Sequence, residues 1–228
     1  MSLGVPRVHL RRTDSTNERA RDLAARGAPH GTLVTAAEQS AGRGRQGRTW
    51  SAPAGKALLC SLLLRDPPRL LPLAAGAAVA ELVGDGALIK WPNDILVEGR
   101  KVAGILVEGR PQQRWAVLGI GLNVALRRED FPPELQEQAG TLGLNEDAIE
   151  PTLEQLLGRL DRWLGASESD ILDAVRRRDA LLGRPLRWVG GAGRGAGIDG
   201  DGRLVVATDD GHVSLEAGEV HLERNFAG

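Results

Sequence analysis

Two apolar runs, Leu33-Val-Thr-Ala-Ala37 and Ala57-Leu-Leu-Cys-Ser-Leu-Leu-Leu64, enclose a stretch from Glu38 to Gly55 that has no hydrophobic period. Short continuous apolar runs bounded by turn formers read as buried strands, and the glycine- and arginine-rich stretch between them reads as a loop. A connection this long inside a compact domain is uncommon unless it carries function. The chain must therefore build a sheet that presents this loop.

The remaining elements follow from the same punctuation. Asp14-Ser-Thr16 before Asn17–Arg26 offers side chains to cap a helix that Gly27 ends. Leu71–Val83 predicts a helix packed on the sheet. Leu88–Trp91, Ile95–Val97, Val102–Val107 and Trp115–Ile120 predict strands, with turns at Pro92-Asn-Asp94 and Glu98-Gly-Arg100. Arg127–Gly143, with Pro132-Pro133, reads as a second, mobile loop. Leu153–Leu164 and Ile171–Leu182 have helical spacing. After Gly183 short apolar segments alternate with Gly/Asp turns, as in a small β-barrel of about 45 residues that needs the main body for stability. The expectation is an α+β fold: a mixed, largely antiparallel sheet with flanking helices in residues 1–182, and a small C-terminal β-barrel in residues 183–228.

Composition narrows the function. A net charge of −1 over 228 residues leaves no global field to draw the chain onto nucleic acid or an anionic membrane. The longest apolar stretch, Leu70–Val83, contains Pro72 and Glu81 and falls short of the roughly 20 residues a bilayer requires. With Cys60 as the single cysteine no intramolecular disulfide forms, and the N-terminal arginines are followed by no apolar signal segment; a cytoplasmic location is expected. His9, His30, His212 and His221 lack ligand spacing, so no metal site is expected. There is no GxSxG elbow.

The loop Glu38-Gln-Ser-Ala-Gly-Arg-Gly-Arg-Gln-Gly-Arg-Thr-Trp50 joins glycines that admit close ligand approach to arginines that fork onto anions. Its Gly42-Arg-Gly-Arg-Gln-Gly47 spells the dinucleotide fingerprint, but Pro53 and Gly55 block the helix that the fingerprint requires. Gly55-Lys56 has Trp50 where a P-loop has its first glycine. An RNA-binding Arg/Gly arm is a further reading, weakened by the near-zero charge and by the single, internal occurrence of the run. A plain solvated basic loop is the bland alternative.

Lysine occurs only at Lys56, Lys90 and Lys101 among 29 cationic Lys and Arg residues, so a retained lysine points to a compact ammonium. The hairpin from Lys90-Trp-Pro-Asn-Asp94 to Lys101 can set Asp94 beside Lys101, either as a surface ion pair or as reacting groups. Gly104, Gly119 and Gly121 interrupt strands, which suggests close ligand approach or packing against a helix.

In order and spacing, Asp14–Asn17, Gln39 with Gly42–Trp50, Lys90–Asp94, Lys101–Glu108 and Gly119–Asn123 resemble the biotin protein ligases. The likeness continues to the C-terminus, where Gly197–Leu204 is similar to that family's Src-homology-3-like domain. The resemblance implies a class II synthetase-like catalytic domain of the biotinyl-lipoyl ligase type. It further implies two-step chemistry: biotin and MgATP give biotinyl-5′-adenylate, and a lysine of a biotin carboxyl carrier protein or domain then takes the acyl group. By residue matching, Lys101, Arg43 and Asp94 would be catalytic. Ser15, Thr16, Asn17, Gln39, Gly42, Arg43, Lys101, Gly104, Gly119 and Gly121 would bind biotin. Arg43, Arg45, Arg48, Trp50, Asn93, Lys101 and Asn123 would bind ATP and the adenylate. Gln46 stands where many relatives carry arginine. The DNA-binding domain of longer members is absent from this sequence, so no nucleic-acid partner is expected. A lipoate ligase is the alternative enzyme. The chain is expected to be a monomer or a homodimer, with an edge strand near Trp115 available for pairing.

Overall fold

The computed structural model describes residues 3–110, 114–216, 218 and 220–222. Seven strands, β1 (Arg7–Leu10), β2 (Leu33–Ala36), β3 (Ala57–Arg65), β4 (Ala87–Lys90), β5 (Asp94–Val97), β6 (Arg100–Arg110) and β7 (Trp115–Asn123), form one sheet in the order β1-β2-β3-β7-β6-β5-β4. Only β1 and β2 run parallel; every other pairing is antiparallel. Among the described residues, four α-helices flank the sheet: α1 (Thr16–Ala25), α2 (Leu71–Val83), α3 (Ile149–Leu164) and α4 (Glu168–Arg177).

Why β3 is apolar without alternation is explained by its two covered faces. Leu58, Cys60, Leu62 and Leu64 join the large core with Leu71, Ala78, Leu156 and Ile171 of α2, α3 and α4. Leu63, on the opposite face, packs with Ala20 and Ala24 of α1 and with Trp115 and Val117. Ala57 and Leu59 meet Leu126 and Phe131. Each such leucine contributes about 1.5–3 kcal/mol by leaving water. Burial also pushes the Cys60 thiol up to about 12. In the native protein Cys60 is therefore expected to resist iodoacetamide at pH 8 and to react once denatured, which intact mass would show.

A second, antiparallel sheet comprises β8 (Pro185–Trp188), β9 (Gly191–Ile198), β10 (Leu204–Thr208), β11 (Gly211–Leu215) and β12 (His221–Leu222), ordered β11-β10-β9-β8-β12. Its Leu186, Ile198, Leu204, Val206 and Val220 enter the same core as α2, α3 and α4, as expected of a unit too small to stand alone. Residues 217, 219 and 223–228 of the expected C-terminal unit lie outside the described residues.

The structure corrects four sequence expectations. Strand β1 gives little signal in the sequence because Arg7-Val-His-Leu10, although it alternates, is only four residues long and largely exposed. Trp115 is no edge residue, since it pairs with Arg65 of β3 and Arg110 of β6. The last helix stops at Arg177 rather than Leu182. The Asp179 side chain accepts from the Leu181 amide at 2.8 Å, and Arg178–Ala180 instead pair with Ile89 of β4, covering that sheet edge. Finally, Ser15 precedes α1 without a side-chain cap; Gln39 Oε1, from the long loop, accepts from the Thr16 amide at 2.7 Å. No helix among the described residues is long and apolar enough to cross a membrane.

Candidate active site

The cleft opens on the α1 side of the sheet, where β6, β7 and β3 lie side by side. Register places Gly121 opposite both Gly104 and Leu59, and Gly119 opposite both Leu106 and Ser61. The missing side chains leave room that other parts of the protein fill. A Cβ at Gly119 would stand 2.0 Å from Asn17 Oδ1, and one at Gly121 would stand 2.5 Å from Trp50 Cε2. At Gly104 it would meet Trp50 Cζ3 at 3.0 Å and Lys101 Cε at 3.2 Å. The glycines thus admit a helix side chain and the loop tryptophan into the sheet, and cleft and packing readings are both partly met.

One end of the cleft is neutral and polar. Gln39 Oε1 accepts from both the amide and the hydroxyl of Thr16, at 2.7 and 3.0 Å. Ser61 Oγ lies 2.8 Å from Thr16 Oγ1 and 2.5 Å from Asn17 Oδ1. Asn17 Nδ2 donates to Glu108 Oε2 at 2.9 Å. Ser15, Thr16, Asn17 and Ser61 are all buried, so hydrogen-bonding groups converge where little water competes. Ser61 escaped the sequence reading; its signal was a single hydroxyl inside the apolar run of β3.

The other end is cationic. Lys101 Nζ lies 2.6 Å from Asp94 Oδ1 and 5.6 Å from the centroid of the Trp50 ring. The hairpin therefore joins carboxylate and ammonium as the spacing predicted. Arg45 donates to Asn93 Oδ1 at 3.1 Å, and burial lowers its affinity for a proton. Lys90 lines the same cleft. Burial pulls its pKa down, and the nearby Asp94 carboxylate opposes that shift. Arg48 and Trp50 also line the cleft. Arg43 lines the cleft as well, its Nη1 held 2.8 Å from Glu18 Oε2 and 3.7 Å from Glu108 Oε1. Lys90 and Glu108 lay within the motifs read from sequence, but no role was drawn for either.

The long loop is more ordered than a stretch without period suggests. It folds back on itself through Trp50 N to Gly42 O at 2.9 Å and Gly44 N to Arg48 O at 2.7 Å, with Gln46 at φ 54° and Gly47 at φ 75° in the bend. Gly42 packs where a Cβ would lie 2.3 Å from Trp50 O; it shapes the loop and is not among the residues lining the main cleft. Asn123 is likewise absent from that lining. Its Nδ2 donates to Gly140 O at 2.8 Å, holding the second loop, whose Gln138 O and Gly140 N bond the backbone of Lys101 at 2.7 and 2.8 Å. The matched asparagine therefore supports the wall behind Lys101.

Residues 9–124 match the Biotin/lipoate A/B protein ligase family, and residues 192–222 match the Biotin protein ligase C terminal domain. The biotin--[acetyl-CoA-carboxylase] ligase of Mycobacterium tuberculosis is 35% identical, over 92% of this chain and 86% of the relative. That of Paracoccus denitrificans is also 35% identical, over 92% and 98%. The bifunctional ligase/repressor BirA of Bacillus subtilis is 44% identical over 56% of this chain, a match spanning only 43% of the relative's length. Among solved structures, the biotin protein ligase from Aquifex aeolicus in complex with biotin and ATP aligns at a TM-score of 0.83 with 29% identity, covering 96% of this chain and 98% of that one. The sheet, the cleft and these likenesses agree: the chain belongs to the Biotin/lipoate A/B protein ligase family.

Proposed function

We propose that the protein is a biotin–protein ligase that forms biotinyl-5′-adenylate from biotin and ATP and passes the biotinyl group to a lysine of a biotin carboxyl carrier domain. The observation that carries this reading is one cleft with two chemically different ends. Thr16, Asn17 and the half-buried Gln39 line a neutral end, backed by the buried Ser61, and Lys101, Lys90, Arg45 and Arg48 line a cationic one. A ureido ring, with two N–H donors and a carbonyl acceptor, suits the neutral end. The dithiolane of lipoate has no such groups and would forgo the hydrogen bonds a ureido ring makes there, about 0.5–1.5 kcal/mol each.

In the first step a biotin carboxylate oxygen attacks the α-phosphorus of ATP, and the bond to the β-phosphate breaks to release pyrophosphate. Both reactants are anions, so charge must be offset where they meet. Lys101 supplies an ammonium between carboxylate and α-phosphate, and Arg43, released from Glu18, adds a guanidinium. Arg45, Arg48, Asn93 and Trp50 hold the nucleotide. In the second step the carrier lysine Nζ attacks the acyl carbon, AMP leaves, and Asp94 orients the incoming amine or takes its proton.

Magnesium would enter on the phosphates of ATP; among the described residues no cluster of three His, Cys, Asp or Glu side chains is placed to hold a metal. In this reading residues 1–182 are the catalytic unit and residues 183–228 the small C-terminal one. The setting is the cytoplasm, the partner is a carboxylase carrier domain, and the protein acts as a monomer or homodimer.

The test is intact mass of a purified carrier domain after incubation with the protein, ATP and either biotin or lipoate. A biotin-sized gain on one lysine supports the proposal; a lipoate-sized gain alone, or none, refutes it. The loop offers a second check. Adenylate would add a second anion for this glycine-rich loop to close around, beyond the carboxylates that hold Arg43 here, so tryptic cleavage after Arg43 or Arg45 should slow with saturating biotin and ATP. Equal rates with and without ligand would show that the loop does not close.

A further inference from the structure

The turn Lys90-Trp-Pro-Asn-Asp94 brings three polar groups to the cleft, and its position is fixed from both sides. On the sheet side, Asn93 Nδ2 donates to Ile105 O at 2.8 Å, and the Ile105 amide donates to Asn93 O at 2.9 Å. On the far side, the buried indole of Trp91 donates from Nε1 to the carbonyl of Gly202 at 3.0 Å. Gly202 belongs to the turn between β9 and β10 of the C-terminal sheet.

That acceptor is rigid. Asp199 Oδ1 accepts from the amides of Asp201 and Arg203, both at 2.9 Å. Gly202, at φ 80°, sits so close to α2 that a Cβ would stand 2.8 Å from Leu73 Cδ1 and 2.9 Å from Leu70 Cδ2. Two further cross-links, Arg69 to Asp201 at 3.3 Å and Arg176 Nε to Ile198 O at 2.9 Å, hold the same turn to the body. Neither of them touches the cleft. Of these three tethers, only Trp91 lies in the segment that carries Asp94 to Lys101.

We infer that Trp91 is a positioning residue through which the C-terminal sheet fixes the Asp94–Lys101 pair for adenylation. The inference rests on the proposed ligase activity. A displacement of the turn by on the order of 1 Å would cost up to about 100-fold in rate, and would leave the neutral biotin end, which lies on other elements, in place.

The experiment compares Trp91→Phe, which removes the N–H, with Gly202→Ala, whose methyl would meet Leu73 and Leu70 and push the acceptor away from α2. Arg69→Ala is the control, since it removes a tether without touching the turn. Biotin-dependent pyrophosphate release gives kcat and KM, and amide hydrogen exchange at residues 93–105 reports the turn independently of activity. Both test variants should lower kcat about tenfold or more with KM for biotin within about twofold, and should speed exchange at Asn93 and Ile105; Arg69→Ala should do neither. The inference is overturned if Trp91→Phe keeps more than a third of the wild-type kcat or leaves exchange unchanged, or if Arg69→Ala matches its loss. If Trp91→Phe does not fold, Gly202→Ala decides by the same criteria. A wild-type protein that shows no biotin-dependent release refutes the ligase reading instead, and exchange alone then decides whether the tether holds the turn.

Discussion

Replacing Lys101 with arginine is expected to abolish biotin-dependent pyrophosphate release nearly as completely as replacing it with alanine. The Lys101 ammonium lies 2.6 Å from Asp94 Oδ1 with the Trp50 ring 5.6 Å away and Gly104 beneath its stem. A compact point charge fits between those walls. A planar guanidinium is wider, and must displace either the ring or one reacting group. Displacement on the order of 1 Å costs about 100-fold in rate. A plain, half-exposed ion pair would accept arginine at little loss, since such pairs contribute about 0–1 kcal/mol. The measurement is kcat at saturating biotin and ATP, with circular dichroism to confirm folding. If Lys101→Arg keeps more than about a third of the wild-type rate, the ammonium is structural and its role between carboxylate and phosphate is wrong.

Gly119→Ala should cost biotin affinity without touching any cation. The added methyl would stand 2.0 Å from Asn17 Oδ1 and 3.0 Å from Asn17 Nδ2. Asn17 is 4% exposed and is tied to Ser61 at 2.5 Å and Glu108 at 2.9 Å. It has nowhere to retreat without breaking those bonds, and each buried group left unpaired costs about 1–3 kcal/mol. Calorimetry should show the Kd for biotin rising tenfold or more, equivalent to about 1.4 kcal/mol or more. The control is Gly158→Ala in α3, where a Cβ meets nothing within 4 Å and helix propensity favours alanine by about 1 kcal/mol. That variant should bind as the wild type does and melt slightly higher. Biotin binding by Gly119→Ala within twofold of wild type would detach Asn17 from the biotin end of the cleft.

Much of the architecture was legible in the chain because it is local. Glycine, proline and charge punctuate the apolar runs, so β3, α2 and the meander from β4 to β7 appear where the pattern puts them. The hairpin spacing put Asp94 and Lys101 on adjacent strands, since a tight turn leaves few registers; they meet across a register shift between Ile95 and Leu96, with Lys101 opposite Leu96 and Asp94 opposite Gly104. Where local pattern was silent or misleading, the expectation failed. Strand β1 has too little apolar signal to stand out, and it is recruited by parallel pairing across α1. The last helix yields at Asp179, whose side chain competes for backbone amides that the helix would have used.

By itself, the sequence determined a glycine- and arginine-rich loop and a lysine–carboxylate hairpin, and it carried the pattern of a family; that the two meet, Arg45 on Asn93 and Lys101 by the Trp50 ring, belongs to the tertiary structure. Only the tertiary structure decided what fills the gaps those residues leave. The register of β3 against β7 sets Ser61 opposite Gly119, and this is what brings the Asn17 side chain from α1 into the sheet. Asn123, matched to the nucleotide side, turns to the second loop instead. Trp91, three residues before Asp94 in sequence, finds its partner in a turn 111 residues away. These contacts join strands and loops that are distant in the chain, and hydrophobic periodicity within a segment carries no information about which remote segment will lie against it.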